Sequence, residues 1–372
     1  MLKIDKLCLV ITFRMNQETQ HGYLVLADIS GYTSYLAGVE LTHARDILTE
    51  LLNLIVEHFK PFLFIVKLEG DAVLGHVPNT KIERDETLLE LFESTYLAFR
   101  DRVEGIRRST TCQCNACKAI PTLDLKFILH FGEYLLQNVS GITELVGSDV
   151  NLAHRLLKNH VGEVTGWKAY ALFTDAGLKQ LNVKLENLHE QVERYAHLGE
   201  VKTYSMDLHA RYKELVESRG RIISPAEADV TITRTISAPP FVIWEWMNDI
   251  QKRLKWETYD DIQPLLRPGG RMGAGAQNHC AHGKNLVIET ILDWKPFEYY
   301  TIEYPIAIQT HHLRSHGEST QLNVYFRLKM SLPRWLTRLV ARFMFTQFKV
   351  EEQFDRLTRM ISEESAQDES KG

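Results

Sequence analysis

No stretch of the 372-residue sequence reaches the roughly 18 uninterrupted apolar residues that a bilayer-spanning helix requires, so no transmembrane segment is expected. An excess of one charge is also missing. The net charge of -5 is mild for this length, which excludes the basic footprint of a typical nucleic-acid binder. Cysteine is sparse: five residues, an odd number with three clustered, make no disulfide framework and point to a reducing cytoplasm. A signal peptide is not expected, because the apolar run Leu7 to Ile11 is short and lacks a small-residue cleavage site. No internal repeat occurs, and the one biased segment is a polar tail over residues 365–372. What is present is 44% hydrophobic against 24% charged residues, the balance of a folded chain long enough for two cores.

Residues 1–21 read as an N-terminal extension. From Tyr23 to Ala27 an apolar run ends in Asp28, with Gly31 after it, which predicts a buried strand stopping at a polar turn. Leu48, Leu51, Leu52, Ile55, Val56 and Phe59 then recur at helical spacing until Pro61. Phe62 to Leu68 and Ala72 to Val77 predict a hairpin with Glu69, Gly70 and Asp71 at its tip. A second amphipathic helix is expected over Thr87 to Val103, a strand over Leu123 to Phe131, a helix over Asp149 to Asn159 and a strand near Val201 to Met206. This order predicts an α+β fold, a mixed sheet covered by helices, over residues 22–210.

Residues 211–228 carry Ser224 and Pro225 among charged residues with no periodic pattern, and read as a linker. A second unit over residues 229–364 opens with an alternating strand, Val230 to Ser237. Pro239 and Pro240 break it, and a helix over Phe241 to Trp256 follows. Further strands are expected at Asn285 to Leu292, Tyr299 to Ile308 and Gln321 to Met330. Pro333 then opens one long amphipathic helix to about Ser362.

Two acids at neighbouring strand ends suit Mg2+ or Mn2+, which prefer oxygen ligands and bridge to substrate phosphates. Asp28 and Asp71 meet that description. Their surroundings, Ala27-Asp28-Ile29-Ser30-Gly31-Tyr32-Thr33 and Lys67-Leu68-Glu69-Gly70-Asp71-Ala72-Val73, resemble the metal-binding segments of class III adenylyl and guanylyl cyclases. Gly147-Ser148-Asp149-Val150-Asn151-Leu152-Ala153-His154-Arg155 resembles the helix of that family that supplies transition-state residues. The resemblance implies a ferredoxin-like sandwich that makes cyclic nucleotide and pyrophosphate. It gives Asp28, Asp71 and the Ile29 carbonyl to the metal, and Asn151 and Arg155 to the ribose and the transferring phosphoryl group. Lys67 matches the purine-reading lysine of adenylyl cyclases, favouring ATP over GTP. The resemblance also implies a homodimer whose sites take the acids from one subunit and Lys67, Asn151 and Arg155 from the other.

Two departures from the family pattern stand out. Glu144 occupies the second purine-reading position, where aspartate, threonine or cysteine is usual. The loop from Gly132 to Gly147 is short, and Gly199-Glu200-Val201-Lys202 lacks the longer basic hairpin of many members, leaving Lys202 as the candidate phosphate-binding lysine. Either acid alone could simply cap a turn.

The second half resembles the START-like superfamily of polyketide cyclases and lipid carriers, through Ile236-Ser237-Ala238-Pro239-Pro240-Phe241-Val242-Ile243-Trp244, the strands after Gly269-Gly270 and the terminal helix. This resemblance implies a helix-grip domain, a curved antiparallel sheet around a long helix. A hydrophobic small molecule or lipid would occupy its cavity, near Trp244, Trp246, Phe343 and Phe345.

Cys112, Cys114 and Cys117 could share a Zn2+ ion, one ligand short of a closed site, with His130, His160 or a partner chain supplying the fourth; a reduced exposed loop is the alternative. Three functions therefore stand open. One is a metal-dependent adenylyl cyclase with the second domain as sensor. Another is a weakened cyclase fold that binds nucleotide without turnover, and the third is a lipid carrier regulated by the first domain.

Overall fold

The computed structural model describes residues 19–109, 112, 114–282 and 285–369. Most of the expected N-terminal extension, through residue 18, and the last three residues of the polar tail lie outside the described residues. The chain divides into two compact units, Met1–Val183 with Asn187–His209, and Lys184–Glu186 with Ala210–Gly372.

The first unit runs β1 (Gln20–Ser30), α1 (Tyr32–Ala37), α2 (Leu41–Phe59), β2 (Phe64–Glu69), β3 (Ala72–Pro78), α3 (Thr87–Ser109), α4 (Asn115–Ala119), β4 (Asp124–Val139), β5 (Ile142–Val146), α5 (Ser148–Leu156), α6 (Val161–Thr165), β6 (Tyr170–Thr174), α7 (Asp175–Leu181), β7 (His189–Tyr195) and β8 (Gly199–Asp207). Its sheet has the order β2-β3-β1-β4-β6-β8-β7, with β5 paired to β4. The β4–β6 pair is parallel and the other neighbours are antiparallel. Tyr23 to Ala27 are all buried, because β1 is central and covered on both faces. Ala27 stands opposite Phe127, whose ring packs on Phe59 of α2 and Phe92 of α3. Leu24 and Leu26 point the other way, onto Val150, Ala153 and Leu156 of α5. The two-residue period therefore turns Asp28 toward α5. Phe127 is fully buried, so truncating it to alanine should cost about 3–5 kcal/mol.

Helix α8 (Leu208–Glu217) follows β8. The second unit continues with β9 (Val230–Ile236), α9 (Pro240–Asn248), α10 (Ile250–Trp256), β10 (Asp261–Leu266), β11 (Gln277–His282), β12 (Asn285–Lys295), β13 (Tyr299–Glu303), β14 (Ala307–His316), β15 (Ser319–Leu328), α11 (Arg334–Gln347) and α12 (Val350–Glu369). Its seven strands form an antiparallel sheet in the order β10-β11-β12-β13-β14-β15-β9. The protein is thus α+β, with a mixed helix-covered sheet followed by an antiparallel sheet and long C-terminal helices, as the sequence predicts.

Several details differ from the sequence expectations. Strands β5, β6 and β7 were not anticipated: β6 is a five-residue buried run, too short for its period to show, and β7 is largely polar. The strand expected over Tyr299 to Ile308 is two strands, broken around Pro305. The terminal helix is also two, because Lys349 takes a left-handed φ of 50°. The stretch 211–228 holds most of α8, and beyond it the amides of Arg221 and Ile223 donate to Asp293 (3.1 Å) and Thr310 (2.8 Å).

The interior of the second unit holds an aromatic cluster and a buried ion cluster that adjoin at Tyr300. Trp244 meets Trp294, Tyr300 and Phe297 at centroid distances of 4.7, 5.4 and 5.7 Å. Trp246 is buried, Phe345 packs on Phe326, and Phe343 is 65% exposed. The four aromatics expected around an apolar cavity therefore fill the core or face solvent. Arg253 donates to both oxygens of Glu289 (3.0 and 2.6 Å) and to Glu257 (3.0 Å). Burial pushes the Glu257 carboxyl up to about 7, against the pull of Arg253. It acts the same way on Glu289, but there the Arg253 guanidinium prevails and holds the carboxyl below its usual range. A polar groove of about 880 Å³ runs between β9 and the two terminal helices, lined by Asp229, Arg338, Arg342, Lys349 and Asp355 among others.

Candidate functional site

The acid pair sits where β1 and the β2–β3 turn meet. Gly70 takes φ 64° in that turn, a left-handed conformation that glycine adopts without strain. Asp71 follows at once, and the amide of Ile29 donates to its carbonyl at 3.3 Å, joining the turn to β1. Asp28 pairs in register with Ala72, so the two carboxylates are neighbours. Burial, and then the negative charge of Asp28, push the Asp71 carboxyl up to about 6. Two crowded hard-oxygen donors of this kind suit a divalent cation.

A cation of the protein already lies there. Lys126 faces Asp28 across the β1–β4 ladder, with Nζ 2.9 Å from Oδ2. It also donates to the carbonyl of Leu157, at the end of α5, at 3.1 Å. Burial disfavours its charge, but Asp28 and the other neighbouring groups prevail and raise its pKa above the ordinary lysine value.

Asn151 and Arg155 lie one turn apart on α5, both exposed. The start of this helix is anchored by the Asp149 carboxylate, which accepts from the Glu133 amide at 2.7 Å. Gly132 makes that approach possible, since a Cβ there would lie 2.3 Å from Asp149 Oδ2. Lys67 on β2 is 3.0 Å from Glu69 and 3.8 Å from Glu144 on β5. Glu69 and then Glu144 raise the Lys67 pKa. His154 of α5 is 3.3 Å from Glu69, which ties the helix to the same group. Lys67 and Glu144, the two expected base readers, are thus brought together beside the helix that carries Asn151 and Arg155.

Lys202 is not part of this group. It lies on β8, with β4 and β6 between that strand and β1, paired to Glu190 at 2.8 Å and over the Tyr204 ring. The sequence reading missed Lys126, although a lone charge in the run Leu125-Lys126-Phe127-Ile128-Leu129 was a usable signal. It also missed Glu69 and His154, whose roles depend on packing.

The cysteine cluster has a fourth member that was not anticipated. His43 of α2 places Nδ1 3.2 Å from Cys114 Sγ and 3.6 Å from Cys112 Sγ. With Cys117, the four ligand atoms lie within 4.8 Å of one another, so this group could hold a metal ion. His130 and His160, the expected candidates, are engaged elsewhere. His130 is buried 2.8 Å from the Thr174 hydroxyl and 3.3 Å from Asp149, and His160 is 2.7 Å from Glu193. The Cys117 amide, followed by His43, pulls the Cys114 thiol down to about 6.

Residues 48–165 match a family described as a protein of unknown function, DUF2652. Residues 227–361 match the family described as polyketide cyclase / dehydrase and lipid transport. The uncharacterized protein Rv2561/Rv2562 of Mycobacterium tuberculosis is 30% identical over 164 residues, 43% of this chain and 73% of that protein. The chain belongs to that protein's family. Among solved structures it is similar to a bacterial light-regulated adenylyl cyclase, with TM-score 0.39, 12% identity, 55% of this chain and 58% of that chain covered. The adenylyl cyclase CyaB from P. aeruginosa has TM-score 0.37, 18% identity, 50% of this chain and 95% of that chain. The chain therefore spans a little over half the length of the light-regulated enzyme. Among the described residues, no helix is long and apolar enough to cross a membrane.

Proposed function

We propose that the first unit is a metal-dependent nucleotide cyclase that converts ATP to cyclic AMP and pyrophosphate in the cytoplasm. The observation that carries this reading is the grouping of Lys67 and Glu144 beside α5, with the Asp28–Asp71 pair on adjoining strands. Asp28 and Asp71, with the Ile29 carbonyl, would hold Mg2+ or Mn2+. When bound, that metal supplies charge neutralisation on the phosphates and eases loss of the ribose 3′ proton. Arg155 neutralises charge on the transferring phosphoryl group, Asn151 orients the ribose, and Lys67 donates to the purine while Glu144 limits how far it swings.

Exposed Asn151 and Arg155 need an opposing surface to enclose a substrate, and a second copy of the chain supplies one. Exposed Phe64 and Leu68 on β2, with Val139 and Val146 on β4 and β5, are apolar surface fit for such a contact. The second unit would bind a hydrophobic ligand and bias the dimer, provided that ligand favours one arrangement over the other.

One observation favours the reading of a nucleotide-binding module without turnover. Lys126 already neutralises Asp28 and must be displaced or tolerated by any incoming metal. One assay separates the two: full-length protein with Mn2+ and ATP or GTP, scored for cyclic nucleotide and pyrophosphate. Cyclic AMP above background supports the cyclase, and Lys67→Glu should then shift use from ATP toward GTP. Nucleotide binding without either product sinks the cyclase reading and leaves the binding module.

A further inference from the structure

The Cys112, Cys114 and Cys117 segment is docked against the α1–α2 corner by contacts that owe nothing to sulfur. Glu40 accepts the amides of Asn115 (3.3 Å) and Ala116 (3.1 Å), capping α4. The buried Tyr35 hydroxyl donates to the Ala116 carbonyl at 3.2 Å. These bonds fix α4, with Cys117 on it and Cys114 at its start, by the first turn of α2, where His43 Nδ1 lies 3.2 Å from Cys114 Sγ and 3.6 Å from Cys112 Sγ.

We infer that His43, Cys112, Cys114 and Cys117 form a structural zinc site that clamps the ends of the strands carrying Asp28 and Lys126. A tetrahedral zinc with Zn–S bonds of about 2.3 Å sets sulfurs about 3.8 Å apart and a histidine nitrogen slightly nearer. Four ligand atoms within 4.8 Å of one another, two of the contacts at 3.2 and 3.6 Å, match that cage with only side-chain adjustment. Three soft sulfur donors disfavour Mg2+ and Ca2+, and four protein ligands leave no open position for catalysis. The site is therefore a clamp.

Its position gives the clamp something to do. β1 ends at Ser30, and the chain reaches His43 through α1 and the first turn of α2. β4 begins at Asp124, shortly after Cys117, and Lys126 follows. One ion would hold together the exit of the strand bearing Asp28 and the approach to the strand bearing its lysine partner. The zinc assignment stands on the ligand cage alone; its effect on the acid edge rests on the reading of that edge given above.

The test is metal analysis of full-length protein, purified without a histidine tag or chelator under reducing conditions. One zinc per chain is expected, together with the intense visible bands of tetrahedral thiolate-bound Co2+ after exchange. Cys114→Ser and His43→Ala should lose the metal, while His43→Cys should keep it by making a four-thiolate site. Because a variant could fail to fold, the wild type is also stripped with a chelator and refilled: protection of the thiols from a disulfide reagent must return with zinc. Substoichiometric zinc after refilling, or thiols equally reactive with and without it, overturns the site. Zinc retention by a folded Cys114→Ser, Cys117→Ser double variant overturns the ligand set. If zinc is present but its removal leaves nucleotide and Mn2+ binding unchanged, the link to the acid edge fails while the site stands.

Discussion

Each unit sets one cation near two carboxylates, and the two arrangements differ in how many of the acids the cation meets. In the second unit Arg253 is buried with Glu257 and Glu289, and its forked donors meet both acids. In the first, Lys126 makes a single contact to Asp28 at a strand end, and Asp71 beside it keeps a carboxyl raised to about 6. A guanidinium enclosed with its acids has nothing to exchange with, because removing it strands two charges away from water. The Lys126–Asp28 pair, at the ends of central strands, keeps side-chain exposures of 17% and 15%, against 5% and 0% for Arg253 and Glu289, so the proposed exchange of its ammonium for a divalent ion has a path to solvent. Burial and the geometry of the donor are what would separate a structural ion cluster from the exchangeable one proposed above.

The largest effect expected is at the Asp28–Asp71 pair. Several kcal/mol of transition-state charge stabilisation depend on a metal in such a site, so Asp28→Ala or Asp71→Ala should lower cyclic AMP formation by about 100-fold or more. Melting of the first unit should change little for Asp71→Ala and fall for Asp28→Ala, which strands the part-buried Lys126; turnover surviving either substitution would break the comparison at its functional side. Next in size is Arg253→Met, which should destabilise the second unit by about 3–5 kcal/mol. Urea unfolding followed by tryptophan fluorescence reads it, since Trp244, Trp246, Trp256, Trp294 and Trp335 are in that unit and only Trp167 is in the first. An unchanged midpoint would mean that the enclosed triad is not structural.

Smaller shifts sharpen the contrast. Lys126→Met should lower the Mn2+ concentration for half-saturation by about 3- to 10-fold, the scale of about 0.5–1.5 kcal/mol for a single contact of this kind; calorimetric titration checks it. Weaker Mn2+ binding in the variant would show that the lysine supports the metal site. Proton and metal compete for Asp71, so Mn2+ affinity should fall as pH drops through about 6. In the metal-free protein the sign is opposite. A carboxyl raised in the folded state holds its proton longer than in the unfolded chain, so its contribution favours folding at low pH and is lost as pH rises through about 6. Asp71→Asn should remove that dependence and stabilise the apo first unit by a few tenths to about 1 kcal/mol after solvent screening, read as a small rise in melting temperature above that pH.

Much of this protein was decided by local sequence. The apolar run ending in Asp28, the Glu69-Gly70-Asp71 turn and the spacing of Asn151 and Arg155 are set within a few residues, so strand end, turn and helix face were legible. The central placement of β1 followed from its uninterrupted apolar stretch, and the double break at Pro239 and Pro240 separated β9 from α9. The polar edge strand β7 and the short buried β6 were not legible, because neither is long enough, or apolar enough in alternation, to show its period. Contacts between distant residues were decided only by the tertiary structure. His43 meets cysteines about seventy positions away because Glu40 and Tyr35 dock α4 on the α1–α2 corner. Lys126 meets Asp28 through strand register, and Glu144 reaches Lys67 because β5 folds back on β4. Periodicity specifies which face a side chain takes; which partner waits on that face depends on how strands order themselves in the sheet, and nothing local carries that information.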